Sequence, residues 1–283
     1  MQRIKTFLEM IKFEHTIFAL PFAYLGMILA AHGWPTWSQF LWITVAMVSA
    51  RTLAMAVNRA VDAGIDARNP RTANRPIPRG DISLRTTWLF AALSLVVLTF
   101  SAWMLNDFVV RLLPLAVLGL VGYSYTKRFT WWSHFILGAV DGAAAAGAWA
   151  AITGNLNNPI PWVLWFAVTV WIAGFDLIYA CQDVEFDRQE GLHAFPARFG
   201  VPAALQLAQL CHVFTVLALA AVGLMAQLAW PYWIAFALVC GLLAYEHSLV
   251  KPDDLSKVNL AFFTINGYIS VIVLLGTLAG LFV

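Results

Sequence analysis

Charge is scarce in this chain. Only 11% of its 283 residues are Asp, Glu, Lys or Arg, less than half of the roughly 25% usual in soluble domains. With 61% hydrophobic residues and a mean hydropathy of +0.76, that scarcity excludes a water-soluble globule and a disordered segment alike. Cysteine is rare as well: Cys181, Cys211 and Cys240 all sit in apolar runs without metal-like spacing. They read as reduced, buried, small apolar residues. The six histidines are scattered singly, with no His-x-x-x-His, which argues against zinc. A net charge of +2 is too small to point to nucleic acid, and no obligate protein partner is implied. The first 14 residues lack a small-residue cleavage site, so they are not a secretory signal. Ile4, Phe7, Leu8 and Ile11 share one helical face, with Lys5, Glu9 and Lys12 off it. A short helix lying on the membrane surface over residues 1–14 is expected, the alternative being a frayed tail.

Apolar length is what the chain has in quantity. A spanning helix needs about 20 mostly apolar residues. Nine segments qualify: 15–32, 37–58, 86–105, 112–127, 131–153, 160–182, 201–228, 229–247 and 258–282. Of the 17 basic residues, 15 fall in the N-terminal segment or in even-numbered connections. Arg111 alone lies on the other side, and Arg51 lies within a span. The positive-inside rule then places the N-terminus and the even connections in the cytoplasm and the C-terminus outside, in the cytoplasmic (inner) membrane of a cell. The expected fold is all-α: one membrane domain over 1–283 with nine transmembrane helices, and cytoplasmic cap loops at 59–85 and 183–200.

Two acidic clusters close corresponding spans. The second span ends with Asn58, Asp62 and Asp66, the sixth with Asp176, Tyr179, Asp183 and Asp187, and the two Asp-x-x-x-Asp pairs stand 121 residues apart. Steps of four and seven return to one helical face, so Arg51, Asn58, Asp62 and Asp66 share a stripe, as do Asp176, Asp183 and Asp187. The four-helix offset predicts two pseudo-repeats plus a ninth helix around a central cavity, with a site at the repeat interface. Paired carboxylates repel unless a cation lies between them. Hard divalent ions such as Mg²⁺ take a few carboxylates together with substrate phosphates. The nearby bases Arg68, Arg71, Arg75, Lys127 and Arg128 could neutralise the remaining phosphate charge. The plain alternative is that these charges are solvated helix ends. Arg51 and Asp176 lie inside their spans, where charge is costly, so each is expected to line a wet cavity or to pair with another charge; Asp141 is either similar or a polar contact between helices.

These residues resemble the UbiA superfamily of intramembrane prenyltransferases, over nearly the whole chain. The motif Asn-Asp-x-x-Asp-x-x-x-Asp is matched at Asn58, Asp62 and Asp66, and Tyr-Ala-x-x-Asp-x-x-x-Asp at Tyr179, Ala180, Asp183 and Asp187. The runs Arg71–Gly80 and Tyr123–Thr130 are similar to neighbouring family segments. One departure is Arg59, which stands where the first motif has its first Asp; its side chain is expected to point off the stripe. The resemblance implies Mg²⁺-dependent transfer of a polyprenyl group from its diphosphate to an acceptor. It implies Asn58, Asp62, Asp66, Asp183 and Asp187 as metal ligands, with Asp62 and Asp183 essential to catalysis. It implies Arg68, Arg71, Lys127 and Arg128 at the diphosphate, and Arg128 also at an acceptor carboxylate. Stripe geometry adds Arg51 at that carboxylate, or in an internal salt bridge with Asp176, and Tyr179 with its ring towards an allylic cation. The prenyl tail would run between helices near Gly138–Ala151, although close helix packing explains that small-residue stretch better. His193 reads as a loop residue.

Two aromatic acceptors fit, 4-hydroxybenzoate (the ubiquinone route) and 1,4-dihydroxy-6-naphthoate (a menaquinone route), and the segments around Tyr179 and Gly191–Gly200 lean towards the second. Two other readings use the same residues: a cation-coupled transporter built on the acidic clusters, and an inactive relative in which Arg59 has disabled the site.

Overall fold

The computed structural model describes Thr6, residues 9–11 and residues 16–283. The helices in chain order are α1 (Thr16–Ala31), α2 (Trp37–Arg68), α3 (Leu84–Leu105), α4 (Asp107–Thr126), α5 (Ser133–Thr153) and α6 (Ile160–Ala180). A 3₁₀ turn (Cys181–Asp183) leads into the short α7 (Val184–Gln189) and α8 (Phe195–Phe199). Then come α9 (Val201–Met225), α10 (Trp230–Leu249), a π-helical turn (Leu260–Ile265) and α11 (Asn266–Phe282). Among the described residues the only β pairing is an isolated bridge between Lys251 and Asp254. Among the described residues eight helical stretches are long and apolar enough to cross a membrane, and α1 contributes a shorter apolar helix. The expected surface helix over 1–14 lies largely outside the described residues, although Met10 and Ile11 are buried beside Met55.

Local sequence sets the helix starts. Thr36 and Gln39 form a reciprocal capping box at the head of α2, Ser83 caps α3 and Asn106 caps α4, each satisfying amides that a helix leaves without partners. Two boundaries differ from expectation. Helix α2 does not stop at 58 but runs 32 residues to Arg68. At 1.5 Å per residue it is about 48 Å long, which exceeds a hydrocarbon core of about 30 Å. Asp62 and Asp66 therefore sit on a rigid helix rather than in a cap loop, and the first cap begins at Asn69. At the other motif the helix is shorter than expected. α6 ends at Ala180, so Asp183 closes a 3₁₀ turn and Asp187 lies on α7; the second motif is carried across that turn and not on one unbroken α-helix.

The centre of the bundle is α5 and α6. Leu164, Trp171, Leu177 and Ile178 of α6 are almost wholly enclosed, whereas α3 and α4 turn Leu89, Val96, Trp103, Leu115 and Leu118 outwards, the surface a lipid-facing helix presents. Small residues allow the central contact. A Cβ at Gly138 would overlap the carbonyl of Thr169 on α6, so the two backbones touch there. The Gly138–Ala151 stretch is thus a packing surface, as expected of small residues at membrane helix interfaces. In the second half, Asn266 supports the π turn. Its Nδ2 donates to the Ala261 carbonyl inside that turn at 3.1 Å and to Glu246 Oε1 at 3.1 Å.

Gly138→Val should destabilise the bundle by about 1–3 kcal/mol, the usual cost of overpacking, whereas Gly147→Val, with nothing within 4 Å of its added Cβ, should be close to neutral. Denaturation midpoints of the two detergent-solubilised variants check this; equal midpoints would show that α5 and α6 do not meet at Gly138.

Candidate active site

Four helix ends meet around one cavity of about 300 Å³. The C-terminal turns of α2, α4 and α6 and the N-terminus of α5 contribute, with α7 and the segment after α2 closing over them. Asn58, Asp62, Asp66, Asp183 and Asp187 all line it, so the two acidic clusters face each other across shared space. So do Arg51, Arg59, Arg71, Arg75 and Lys127. With Asp141 and Asp176 the cavity presents six carboxylates and five Lys or Arg side chains, a near balance that explains how so many charges coexist.

Each outer carboxylate but one is bonded to a base. Asp62 meets Lys127 Nζ at 2.6 Å and Arg128 Nη2 at 2.9 Å, and accepts from Asn58 Nδ2 at 3.2 Å. Arg128 also donates to the carbonyls of Ser124 and Val61, at 2.8 and 3.1 Å, tying the end of α4 to α2. Asp66 receives Arg75 Nη1 at 2.7 and 2.8 Å. Asp183 binds Arg71 through two hydrogen bonds and accepts from Asn69 Nδ2 at 3.0 Å. Asp187 has no ion pair among the described residues. Deeper in the cavity, Arg51 Nη1 donates to Asp141 Oδ2 at 3.2 Å, so its salt bridge is to Asp141 and not to Asp176. Asp176 is instead paired with His134, Nδ1 to Oδ2 at 2.7 Å.

Three expected positions need correction. Arg59 does not point away: it is buried, lines the cavity, donates to Asn58 Oδ1 at 3.3 Å and lies 3.8 Å from Asp66. Successive residues on a helix are about 100° apart, but a long guanidinium stem reaches back across that angle. Arg68 is outside the cavity. Its guanidinium forks onto Glu190 at 2.9 and 2.6 Å, joining the end of α2 to the second cap and holding the Glu190 carboxyl below its ordinary range through that hydrogen bonding. Tyr179 does not offer an open ring. Phe262 lies 4.2 Å from its centroid, and the Arg71 guanidinium is 5.0 Å away and donates to the hydroxyl at 2.7 Å. His193 packs beside the ring of Trp131, as a loop residue would, and its amide donates to the Lys127 carbonyl at 2.7 Å.

Residues to which the sequence analysis gave no role also stand here: Asn69, His134, Tyr123 and Phe262 line the cavity, and Glu190 joins the caps outside it. Only Asn69 carried a local signal. It precedes Pro70, caps α2, and its Oδ1 accepts from the Arg71 amide at 2.9 Å, the Asx turn typical of such a position; its second bond, to Asp183, comes from a segment 114 residues away.

The donors facing the cavity are carboxylate and amide oxygens, the set a hard divalent cation takes. Among the described residues no three His, Cys, Asp or Glu side chains are grouped so as to hold a metal as they stand, and bases stand on Asp62, Asp66 and Asp183. A polyanion arriving with the cation would claim those bases and leave the oxygens to the metal, so the residues fit Mg²⁺ in company with a diphosphate.

A long-helix membrane bundle with a charge-lined cleft between its central helices is the class of protein these features define. Comparison with known proteins makes that specific. The sequence pattern of the UbiA prenyltransferase family matches residues 19–268; the chain belongs to that family and is a prenyltransferase. It is 29% identical over 287 residues to a 4-hydroxybenzoate octaprenyltransferase of Marinomonas sp., covering 100% of both chains. It is 30% identical to the protein of that name in Nitrosospira multiformis, over 84% of this chain and 81% of that one. Among solved structures, a UbiA homologue from Aeropyrum pernix K1 in its apo form superposes with a TM-score of 0.86 at 32% identity, over 93% of this chain and 96% of that one. A UbiA homologue from Archaeoglobus fulgidus bound to GPP and Mg²⁺ shares the fold, with a TM-score of 0.72 at 22% identity, over 98% of this chain and 100% of that one. Membership in a prenyltransferase family sets the transporter reading aside.

The geometry separates two arginines that sequence spacing treats alike. Arg71→Ala should cut prenyl transfer by about 10²-fold or more, the scale of losing a charge-stabilising donor inside a site. Arg68→Ala, which breaks an exposed pair, should stay within about fivefold. Initial rates in membranes carrying each variant decide it, and equal losses would put both guanidiniums at the substrate.

Proposed function

We propose that this enzyme transfers a polyprenyl group from a polyprenyl diphosphate to a ring carbon of 4-hydroxybenzoate, a step towards ubiquinone, in a Mg²⁺-dependent reaction. The observation that carries this reading is the convergence of Asp62 and Asp66 on α2 with Asp183 and Asp187, from a separate helix end, on one cavity studded with bases. The acceptor is supported by the relatives, which are named for 4-hydroxybenzoate. They favour it over the naphthoate to which the sequence segments leaned.

In this reading Asn58, Asp62, Asp66, Asp183 and Asp187 hold the metal. Bound Mg²⁺ supplies positive charge against the pyrophosphoryl oxygens, making diphosphate a better leaving group. The chain's bases do the rest of that work. Arg71, Arg75 and Lys127 exchange their carboxylates for phosphate oxygens, and Arg128, bonded to two backbone carbonyls, holds Asp62 in place. Arg59 adds a cation beside Asp66, strengthening the diphosphate's electrostatic seat where the family motif has a carboxylate. Arg51, two turns deeper on α2 than Asn58, receives the acceptor carboxylate, and Asp141 keeps its fork oriented. Tyr179 anchors Arg71 rather than facing the cation. The allylic C–O bond then breaks in a cavity whose apolar wall, Phe22, Leu137, Trp171 and Phe262, keeps water from the cation.

The same reading includes nine membrane spans, with α1 as the ninth. It includes two four-helix halves, supported by the matching α2–α3 and α6–α9 pairs, and an active site facing the cytoplasm of an inner-membrane protein, supported by the basic connections.

Membranes from cells expressing the chain, given geranyl diphosphate, Mg²⁺ and a panel of aromatic acids, test the proposal. Prenylated 4-hydroxybenzoate is the expected product, EDTA should abolish it, and excess Mg²⁺ should restore it. Product formed only from the naphthoate would overturn the acceptor. Asp62→Ala and Asp183→Ala should each remove turnover while leaving the fold intact; a near-normal rate for either takes that residue out of the metal set.

A further inference from the structure

One carboxylate in the cavity has a bonding pattern unlike the rest. Asp62, Asp66, Asp183 and Asp141 each meet an Arg or Lys. Asp176 meets neither within 4 Å among the described residues; its partner is His134, at 2.7 Å from Oδ2. The imidazole is buried, and its other nitrogen, Nε2, accepts from the backbone amide of Phe195 at 3.4 Å. An accepting Nε2 places the proton of a neutral ring on Nδ1, so His134 donates to Asp176. The second oxygen of Asp176, Oδ1, has no hydrogen-bond partner among the described residues, and the side chain keeps 23% of its surface accessible in the cavity it lines.

Position matters as much as bonding. Asp176 lies seven residues before Asp183 on the chain of α6, about two turns deeper, and Arg51 lies seven residues before Asn58 on α2. The cavity therefore has an outer layer, where the proposed diphosphate set sits, and an inner layer holding Arg51, Asp141, His134 and Asp176. Asp187 also lacks a cationic partner, but it belongs to the outer layer.

We propose that Asp176 is the catalytic base that removes the ring proton of the acceptor, and that His134 is the positioning residue that aims it. This rests on the aromatic prenyl transfer proposed above. The allylic C–O bond breaks and its electron pair leaves on the diphosphate oxygen. A π pair of the acceptor ring forms the new C–C bond beside the hydroxyl. The C–H bond at that carbon then breaks, its electron pair restores the aromatic ring, and the proton passes to Oδ1 of Asp176. His134, bonded on one side to Asp176 and on the other to the Phe195 amide of the second cap, ties the aim of the base to the closure of that cap.

The test is Asp176→Asn, which keeps the shape and can still accept from His134. The full-length variant is assayed in membranes with geranyl diphosphate, Mg²⁺ and 4-hydroxybenzoate, either unlabelled or deuterated beside the hydroxyl. The expected results are a fall in kcat of about 10²-fold or more, little change in KM for geranyl diphosphate, and a primary deuterium isotope effect absent from the wild type. His134→Ala should lower kcat and show a weaker isotope effect, with His134→Asn, which replaces the Nδ1 donor, recovering much of the rate. Near-normal kcat in Asp176→Asn, or a loss with no isotope effect in either the Asp176 or the His134 variants, overturns the assignment and makes the pair a structural strut. A wild type that prenylates no hydroxybenzoate fails the functional reading itself, and this inference with it; an active wild type isolates the failure to Asp176.

Discussion

Six carboxylates share one cavity at the end of an apolar bundle, and all but Asp187 have a basic partner there among the described residues. Two unit charges 4 Å apart in a partly screened protein environment interact by about 4 kcal/mol, so an uncompensated acidic cluster of this density would cost more than many single contacts supply. The structure meets this constraint locally. Lys127 and Arg128 stand on Asp62, Arg75 on Asp66, Arg71 on Asp183 and Arg51 on Asp141. Because these pairs join α2 to α4, α2 to α5 and the first cap to the end of α6, the charge balance also sets how the helix ends are assembled. In the proposed reading the site exchanges partners: a polyanion that draws the bases away frees the oxygens they now cover.

The frame that carries these groups has two mechanical features. Helix α2 is long enough to project past the bilayer, which gives Asp62 and Asp66 a rigid mount instead of a loop. Small residues on α5 let α6 lie against it backbone to backbone, which brings the second cluster within reach of the first. The caps add an outer tier. Arg68 and Glu190 join them at the exposed surface, while Asn69 and Arg71 join them inside at Asp183. An exposed pair contributes little to stability, so the inner contacts are the ones that hold the caps in register.

Much of this could be read along the chain. Apolar runs marked the helices to within a few residues at most ends, and the spacing of Asp62, Asp66, Asp183 and Asp187 marked two matched clusters that share one cavity. The errors have physical origins. Helix periodicity assigns a direction to a Cα–Cβ bond, not to the end of a long side chain, so Arg59 was sent the wrong way, while Arg68, placed at the diphosphate by the resemblance, is drawn off by Glu190. Periodicity assumes that a helix continues, which holds through residue 58, where polar residues carry α2 past the end that apolar counting gave it, and not at Ala180, where the backbone tightens into a 3₁₀ turn.

The kind of protein, its helices and the two groups of acidic side chains follow from local rules, because hydropathy and residue spacing act over a few turns. Partnership does not. That Asp176 would find His134 and not Arg51, that Asn69 would reach Asp183, and that Tyr179 would lie between Phe262 and Arg71 are matters of which helices pack together and how closely. Those contacts span 42, 114 and more than 80 residues of chain, and only the packed bundle brings their ends together.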